Sequence, residues 1–525
     1  MRIPHILALH LLAVTLAVPS LPAEEKPLRV GRITIDAMPL FDSEEAARGS
    51  FYRAANILHV QTKATLLRRF LLFHEGDPYD AAQLEETERN LRLFDFLKRV
   101  SVTPSAPHDG VVDVNVTTQD EWTSSVTGDY SNDGGIATYD IDFAQKDLAG
   151  TGSEFQVHLD HGVERSVRAF EFLHPALFGP YWNLDAVYSK NSDGDEERLV
   201  LDRPLYSYAT PWAASFRYEH SLRNDRIFSE GEVAARFRRR HRELELSRSH
   251  VLRNDSKGSS QIVAGVDLLD DTFSPLPDRT LDVIPLSRRF RFIDFGYEST
   301  HFKFVKIDYV DRDLLEQDFN LGRYTTVHGA VSPAGSGMPV TWRFSASEGL
   351  GHAFGKRSFA IGQFSATTRA PRNRNTVISF DGRVIARFST AHPQAFVARI
   401  RMDRGWQLDR DVQFLADGQN GLRAYPDFSF EGDRRIIINA EHRLFLGREL
   451  LQLFAPGVAV FADSGIASHS PISPGKMKTD VGIGVRIAIA RYASALIRID
   501  YAYALDAGPL NRRGGTFSIA TMHAF

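Results

Sequence analysis

The 525-residue chain contains no cysteine. That excludes a disulfide framework and a thiolate metal site. It fits an exported protein without proving export. No stretch beyond the N-terminus offers the roughly twenty consecutive apolar residues that a membrane-spanning helix needs. Enzyme signatures are also missing. There is no G-x-S-x-G elbow, no H-E-x-x-H helix, no Walker loop and no dinucleotide fingerprint, so no enzyme and no nucleotide cofactor are expected. A hydrolase whose residues sit on neighbouring strands would leave no such motif. Charge of one sign is not in excess. The formal net charge is -4, which gives no argument for nucleic acid as a partner.

What is present begins with a secretory pattern over residues 1–23. Arg2 supplies a positive start, Ile6 to Val18 is a short apolar core, and Ser20 to Ala23 reads as a cleavage region. An exported chain without an apolar helix is either soluble outside the inner membrane or a β-barrel. Only helices and closed barrels satisfy every backbone group in lipid. Aromatic residues at 11% and muted overall hydropathy suit a barrel, whose strands hide apolarity by alternation.

Residues 28–118 read as strand, helix, helix, strand, strand. Arg29 to Asp36 alternates. An irregular segment is expected to about Gln61. Thr62 is read as the cap of a helix reaching Phe73, and Asp80 as the cap of a second helix with Leu84 and Leu91 on its buried stripe. Lys98 to Thr103 and Val111 to Thr117 alternate as two strands, joined through Asp109-Gly110.

From Trp122 to the end, short alternating segments follow one another. Tyr139, Ile141 and Phe143 alternate with Asp140 and Asp142; Tyr501 and Tyr503 alternate with Asp500 and Ala502. In a soluble sandwich the apolar side is the core. In a membrane barrel it meets lipid while acids and arginines line a wet lumen. One strand alone fits either reading. The terminal segment, with Phe517, Ile519 and Phe525 on one side of the pleat, ends on an aromatic as outer-membrane barrels do. It is read as the barrel-closing strand.

Residues 421–465 carry the most specific pattern. A loop reads Gly421-Leu-Arg423-Ala-Tyr425. Two alternating strands follow, with Glu441 and Asp463 on their predicted inner faces. The combination resembles the BamA/TamA-type outer-membrane assembly and translocation barrels (the bacterial surface antigen family). There an arginine in a V-R-G-Y/F loop motif, folded back into the barrel, pairs with wall acids. Here Ala424 stands for the usual Gly. The stretches Leu71 to Asp80 and Glu86 to Leu97 resemble that family's periplasmic POTRA module. Leu148 to Gly152 and Val481 to Arg486 resemble its turns and closing strands.

The resemblance implies a mainly β protein. A signal peptide spans 1–23, a POTRA-like periplasmic domain 28–118 and an outer-membrane antiparallel β-barrel of about sixteen strands 122–525. The number of alternating segments is nearer twenty, with the surplus in 229–330. It implies a lumen lock formed by Arg423, Glu441 and Asp463, with Tyr425 and Phe461 packed around it. It implies a protein that inserts or translocates polypeptides at the outer membrane. Its partners would be lipid, unfolded clients and periplasmic proteins, with no cofactor. A passive pore or binding platform with the same fold is the alternative. Two polar groupings have plainer readings. The run Arg236, Arg238, Arg239, Arg240, His241, Arg242 reads as a solvated turn rather than a contact to lipid phosphates or acidic clients. His158, Asp160 and His161 read as lumen wall rather than a metal site. Ser131 to Gly135 and Asn191 to Glu197 are expected as extracellular loops.

Overall fold

The computed structural model describes residues 27–525 except 48, 134–135, 163–164, 277–283, 309, 311–316, 336, 372–373, 389–391, 447–449, 451–453, 490–495, 511–512 and 522–525. Residues 1–23, expected to be a signal peptide, and Phe525 lie outside the described residues.

The N-terminal unit is a three-stranded sheet backed by helices. β1 (Arg29–Met38) leads through α1 (Ser43–Ala47), α2 (Ser50–Leu58), α3 (Ala64–Arg69) and α4 (Ala81–Leu91) to β2 (Leu97–Pro104) and β3 (Val111–Asp120). β3 is central, parallel to β1 and antiparallel to β2. Val114 and Val116 alternate inward to meet Leu66, Leu67, Phe70, Leu84 and Leu91. Burial of such side chains contributes about 1.5–3 kcal/mol each.

Two local expectations fail here for visible reasons. The segment expected to be irregular holds α1 and α2. Tyr52 and Ala55 pack on Leu40 and Phe41, and both amide atoms of Asn56 bond the Phe41 backbone, at 2.9 and 2.7 Å. Thr62 does not cap α3, because its groups are used elsewhere. Its N–H donates to Asp120 at 2.9 Å and its hydroxyl to Asp147 at 2.7 Å. Asp80 does cap α4, accepting from the Ala82 N–H at 2.9 Å.

The remaining strands, beginning with β4 (Ser124–Asp133), β5 (Ile136–Leu148), β6 (Ser153–His161), β7 (Ser166–His174), β8 (Asn183–Asn191) and β9 (Gly194–Arg203), close into a twenty-stranded antiparallel barrel. The expected sixteen is therefore corrected to twenty. The surplus segments in 229–330 are staves: β10 (Trp212–Ser229), β11 (Glu232–Asp255), β12 (Gly258–Pro275), β13 (Arg288–His301) and the strand Tyr324–Ser332 pair in succession. Asn191 to Glu197 is not a loop either. Strands Asn183–Asn191 and Gly194–Arg203 run to within two residues of each other, so the acids belong to a stave.

Sidedness follows the pleat. Val458 and Val460 are 41% and 54% exposed, while Ala459, Phe461 and Asp463 between and beyond them are buried. The same phase puts Tyr139, Ile141, Phe143, Ile483, Val485 and Phe517 outside. A continuous apolar outer wall of this extent is foreign to soluble monomers. Among the described residues no helix is long and apolar enough to cross a membrane.

Among the described residues the closing strands Ser124–Asp133 and Gly515–Thr521 share three register pairs, Phe517–Asn132, Ser518–Ser131 and Ile519–Tyr130, and the next ladder has seven.

The N-terminal unit sits under the turns at one barrel mouth. Tyr181 donates its hydroxyl to the Phe70 carbonyl at 2.6 Å and stacks on Tyr206 at 3.8 Å. Asn90 reaches the Tyr206 carbonyl at 2.6 Å, and the Tyr208 N–H donates to Glu86 at 2.7 Å. Burial raises the Glu86 carboxyl above its ordinary range.

Candidate functional site

Two chain segments fill the lumen from opposite mouths. From the mouth away from the N-terminal unit comes the connection 407–433, between strands Gln394–Trp406 and Arg434–Phe445. Its legs pair as Phe414–Ala416 with Phe430–Gly432. It crosses the barrel. Its Gln413 exchanges hydrogen bonds with the Phe228 backbone at 2.8 and 3.2 Å, and its Phe428 stacks on Phe228 at 4.0 Å. Phe228 lies on β10, nine staves round from Arg434–Phe445 in the barrel order. Arg288 clamps Asp409 and Asp411 at 2.8–2.9 Å.

The loop tip is built by its own residues. Asp417 accepts the N–H groups of Asn420 at 3.0 Å and Phe428 at 2.9 Å, drawing the two legs together. Gly421 has φ +115, where a Cβ would meet the Asn439 amide at 3.1 Å, so glycine is required. Ala424 has no positive φ and its methyl is fully buried, which explains why Ala serves where the motif has Gly.

The tip delivers Arg423 to the wall. Its Nε and Nη2 donate to the two carboxylate oxygens of Asp463 at 2.7 and 3.0 Å. Nη1 donates to Glu441 at 2.8 Å and approaches Asp500 at 3.4 Å. The Phe461 ring lies under the guanidinium, 3.4 Å from its central carbon. Tyr425 reaches the carbonyls of Thr479 and Asp506 at 3.2 and 3.1 Å. A planar fork suits this task, because it bonds one acid twice and a second acid once.

The structure thus brings Arg423, Glu441, Asp463, Tyr425 and Phe461 together. Phe517 and Ile519 lie on the closing strand, with Phe517 facing out. Sequence reasoning missed five of the eight charged residues in the cluster. Arg443 donates to Glu441 at 2.9 Å; Arg486 bridges Glu441 at 3.0 Å and Asp500 at 2.6 Å; Arg498 lies 3.4 Å from Asp500. Asn439 links the Gly421 carbonyl to Asp463 at 2.6 and 2.8 Å. Asp480 accepts from the Ala424 N–H at 3.4 Å. The four arginines lie within ion-pair distance of Glu441, Asp463 and Asp500, so none of these three buried carboxylates lacks a counter-charge. Gly482 and Gly484 make the room. A Cβ at the first would stand 2.1 Å from the Phe461 ring, and at the second 1.9 Å from Asp500. The signal was available, as Arg486, Arg498 and Asp500 lie at inner-phase positions between outward apolar residues.

From the other mouth comes the connection 302–323. Its hairpin, Phe304–Ile307 with Gln317–Asn320, packs in the lumen, with Ile307 and Val310 against Phe359, Ile385 and Val397. Arg443, on the wall, donates to the Val310 carbonyl of this connection at 2.8 Å and to Glu441, which in turn accepts from Arg423 of the loop.

The other two groupings resolve plainly. His158 bonds Asp142 at 2.8 Å and lies 3.2 Å from Asp140, on the inner wall; His161 faces the other way and stacks on Tyr139. The arginine run is not a turn. It sits within β11 as continuous strand, because each residue from 236 to 242 pairs with both neighbours except Arg236, which pairs with β10.

The fold and site define a closed barrel whose lumen is occupied by an arginine-held loop. No family model and no curated protein matches the chain. Similar solved structures include CdiB from Acinetobacter baumannii, at 13% identity and TM-score 0.48, covering 95% of this chain and 74% of that one. CdiB from Escherichia coli aligns at 13% identity and TM-score 0.45, covering 97% and 93%. BamA from Haemophilus ducreyi lacking POTRA domains 1-3 aligns at 10% identity and TM-score 0.40, covering 94% and 85%.

Proposed function

We propose that the chain is an outer-membrane barrel of the BamA/TamA type that assists insertion or translocation of polypeptides. In this reading the apolar outer wall meets lipid, the unit 28–118 is a POTRA-like domain in the periplasm, and Arg423, Glu441 and Asp463 lock the loop inside the lumen. No step requires a cofactor or catalysis. The observation that carries the reading is the pairing of a firmly held lumen loop with a closing ladder of three register pairs among the described residues. A rigid interior with one weak seam directs opening to the wall, where an incoming strand can add by backbone hydrogen bonding. The N-terminal sheet offers β2 as an edge strand.

The test is client export or barrel assembly in cells carrying either a deletion of 28–118 or Arg423→Ala. Loss of export with the barrel still inserted supports the reading. Normal export after both changes removes it. Large, steady ion conductance independent of 28–118 would favour the passive pore instead.

A further inference from the structure

The arginine run on β11 is divided by the pleat into two groups with different surroundings. The inward members are neutralised. Arg239 and His241 both bond Asp271, at 2.8–2.9 Å. The outward members Arg238, Arg240 and Arg242 are exposed. Among the described residues Arg238 donates only to the neutral Asn224 amide oxygen, at 3.3 Å. Among the described residues Arg240 and Arg242 have no hydrogen-bond or ion-pair partner. The nearest outward acid in register with Arg242 is Asp270 on β12, and Arg289 of β13 already occupies it at 2.6 Å. A row of guanidinium groups on alternate residues, about 7 Å apart, is therefore left open to solvent.

Position selects the partner. β11 has 24 residues, about twice the 9–11 that a tilted membrane strand needs. Its end away from the N-terminal unit rises past the apolar wall. Below Arg242 on the same outward face come Leu244 and then Leu246, 54% exposed. In register beside Leu246 are Phe216 and Val266, and beside Val266 is Ile293. The surface thus changes from apolar to cationic within one pleat repeat. A ligand that presents hydrocarbon on one side and phosphate on the other fits that step; an acidic polypeptide uses only its upper half. Guanidinium forks bind phosphate oxygens with paired hydrogen bonds.

We propose that Arg238, Arg240 and Arg242 form a docking surface for the phosphate groups of an anionic glycolipid in the outer leaflet. This rests on the membrane-spanning reading above and adds a lipid class to it. The test uses purified full-length protein in neutral detergent, titrated with bisphosphorylated lipid A and, separately, with the same lipid dephosphorylated. Bound lipid is counted by native mass spectrometry. Wild type should retain the phosphorylated form selectively, and inorganic phosphate should not compete at equal concentration. The triple variant Arg238→Gln, Arg240→Gln, Arg242→Gln should bind about tenfold more weakly or worse, while its heat-modifiable gel migration shows an intact barrel. Equal lipid binding by folded triple variant and wild type would overturn the proposal. So would indifference to the phosphates, or triple-variant loss of acidic-peptide binding with lipid binding untouched. Failure of the protein to insert into vesicles at all would instead count against the membrane reading.

Discussion

Replacing Arg423 by Lys keeps the charge and removes the fork. The native guanidinium makes two bonds to Asp463 and one to Glu441, at 2.7–3.0 Å. An ammonium on a shorter stem cannot hold one acid twice and the other once. Glu441 keeps Arg443 and Arg486, so the loss falls on Asp463, which retains the Asn439 amide. Losing one charge-assisted bond costs about 1.5–3 kcal/mol. At 1.4 kcal/mol per factor of ten, the undocked tip population rises roughly 10- to 100-fold. Arg423→Ala costs more, about 3–5 kcal/mol, because a buried carboxylate loses its cation. The loop does not leave as a whole, since Arg435 still holds the Leu415 carbonyl at 2.9 Å and Arg288 still clamps Asp409 and Asp411. Hydrogen exchange of the reconstituted protein should therefore speed up in residues 417–429 and stay unchanged in 409–415. Adding Asp463→Asn to Arg423→Ala should restore part of the protection. Wild-type exchange in Arg423→Lys, or no rescue by Asp463→Asn, would refute the reasoning.

Other perturbations probe neighbouring parts of the structure. Gly482→Val puts side-chain atoms into the Phe461 ring, so it should release the loop tip as fully as Arg423→Ala does, read by the same exchange experiment. Arg443→Gln removes the wall cation that joins the Val310 carbonyl to Glu441, the acid that also holds Arg423. Single-channel recording should show new openings while tip exchange at 421–425 changes less than in Arg423→Lys. Glu86→Gln should stabilise the docked N-terminal unit at neutral pH. The native carboxyl is raised by burial, so the folded state binds more protons than the unfolded one and stability falls as pH rises through the folded value. Exchange across Ala81–Leu91 should show the variant's advantage at pH 7 and a smaller one at pH 4.

Strand alternation was legible because a barrel wall writes period two into every stave, and lumen acids stand out between outward-facing apolar neighbours. Glu441 and Asp463 could be located that way. Arg486, Arg498 and Asp500 carried the same phase but no loop motif pointed at them, and which inner residues meet depends on stagger between staves, which one strand does not encode. The lumen pairing of Phe304–Ile307 with Gln317–Asn320 was hidden for a related reason. Phe304 to Ile307 alternates like a stave, and only its packing on Phe359 and Ile385 shows it inside. Strand number was blurred in 229–330 because β10 to β12 run past the apolar wall, so charged outward residues such as Arg240 resemble turn chemistry. Thr62 illustrates a tertiary override: a sound capping residue was taken by Asp120 and Asp147.

The seam decides the account. The chain has no thiol of its own, so the register pair Ser131→Cys and Ser518→Cys introduces the only two. The measurement is client export in cells with that seam oxidised and then reduced. Export should stop when the disulfide forms and resume on reduction, with barrel insertion unchanged throughout. Undiminished export through a covalently closed seam would contradict the claim that the wall opens there.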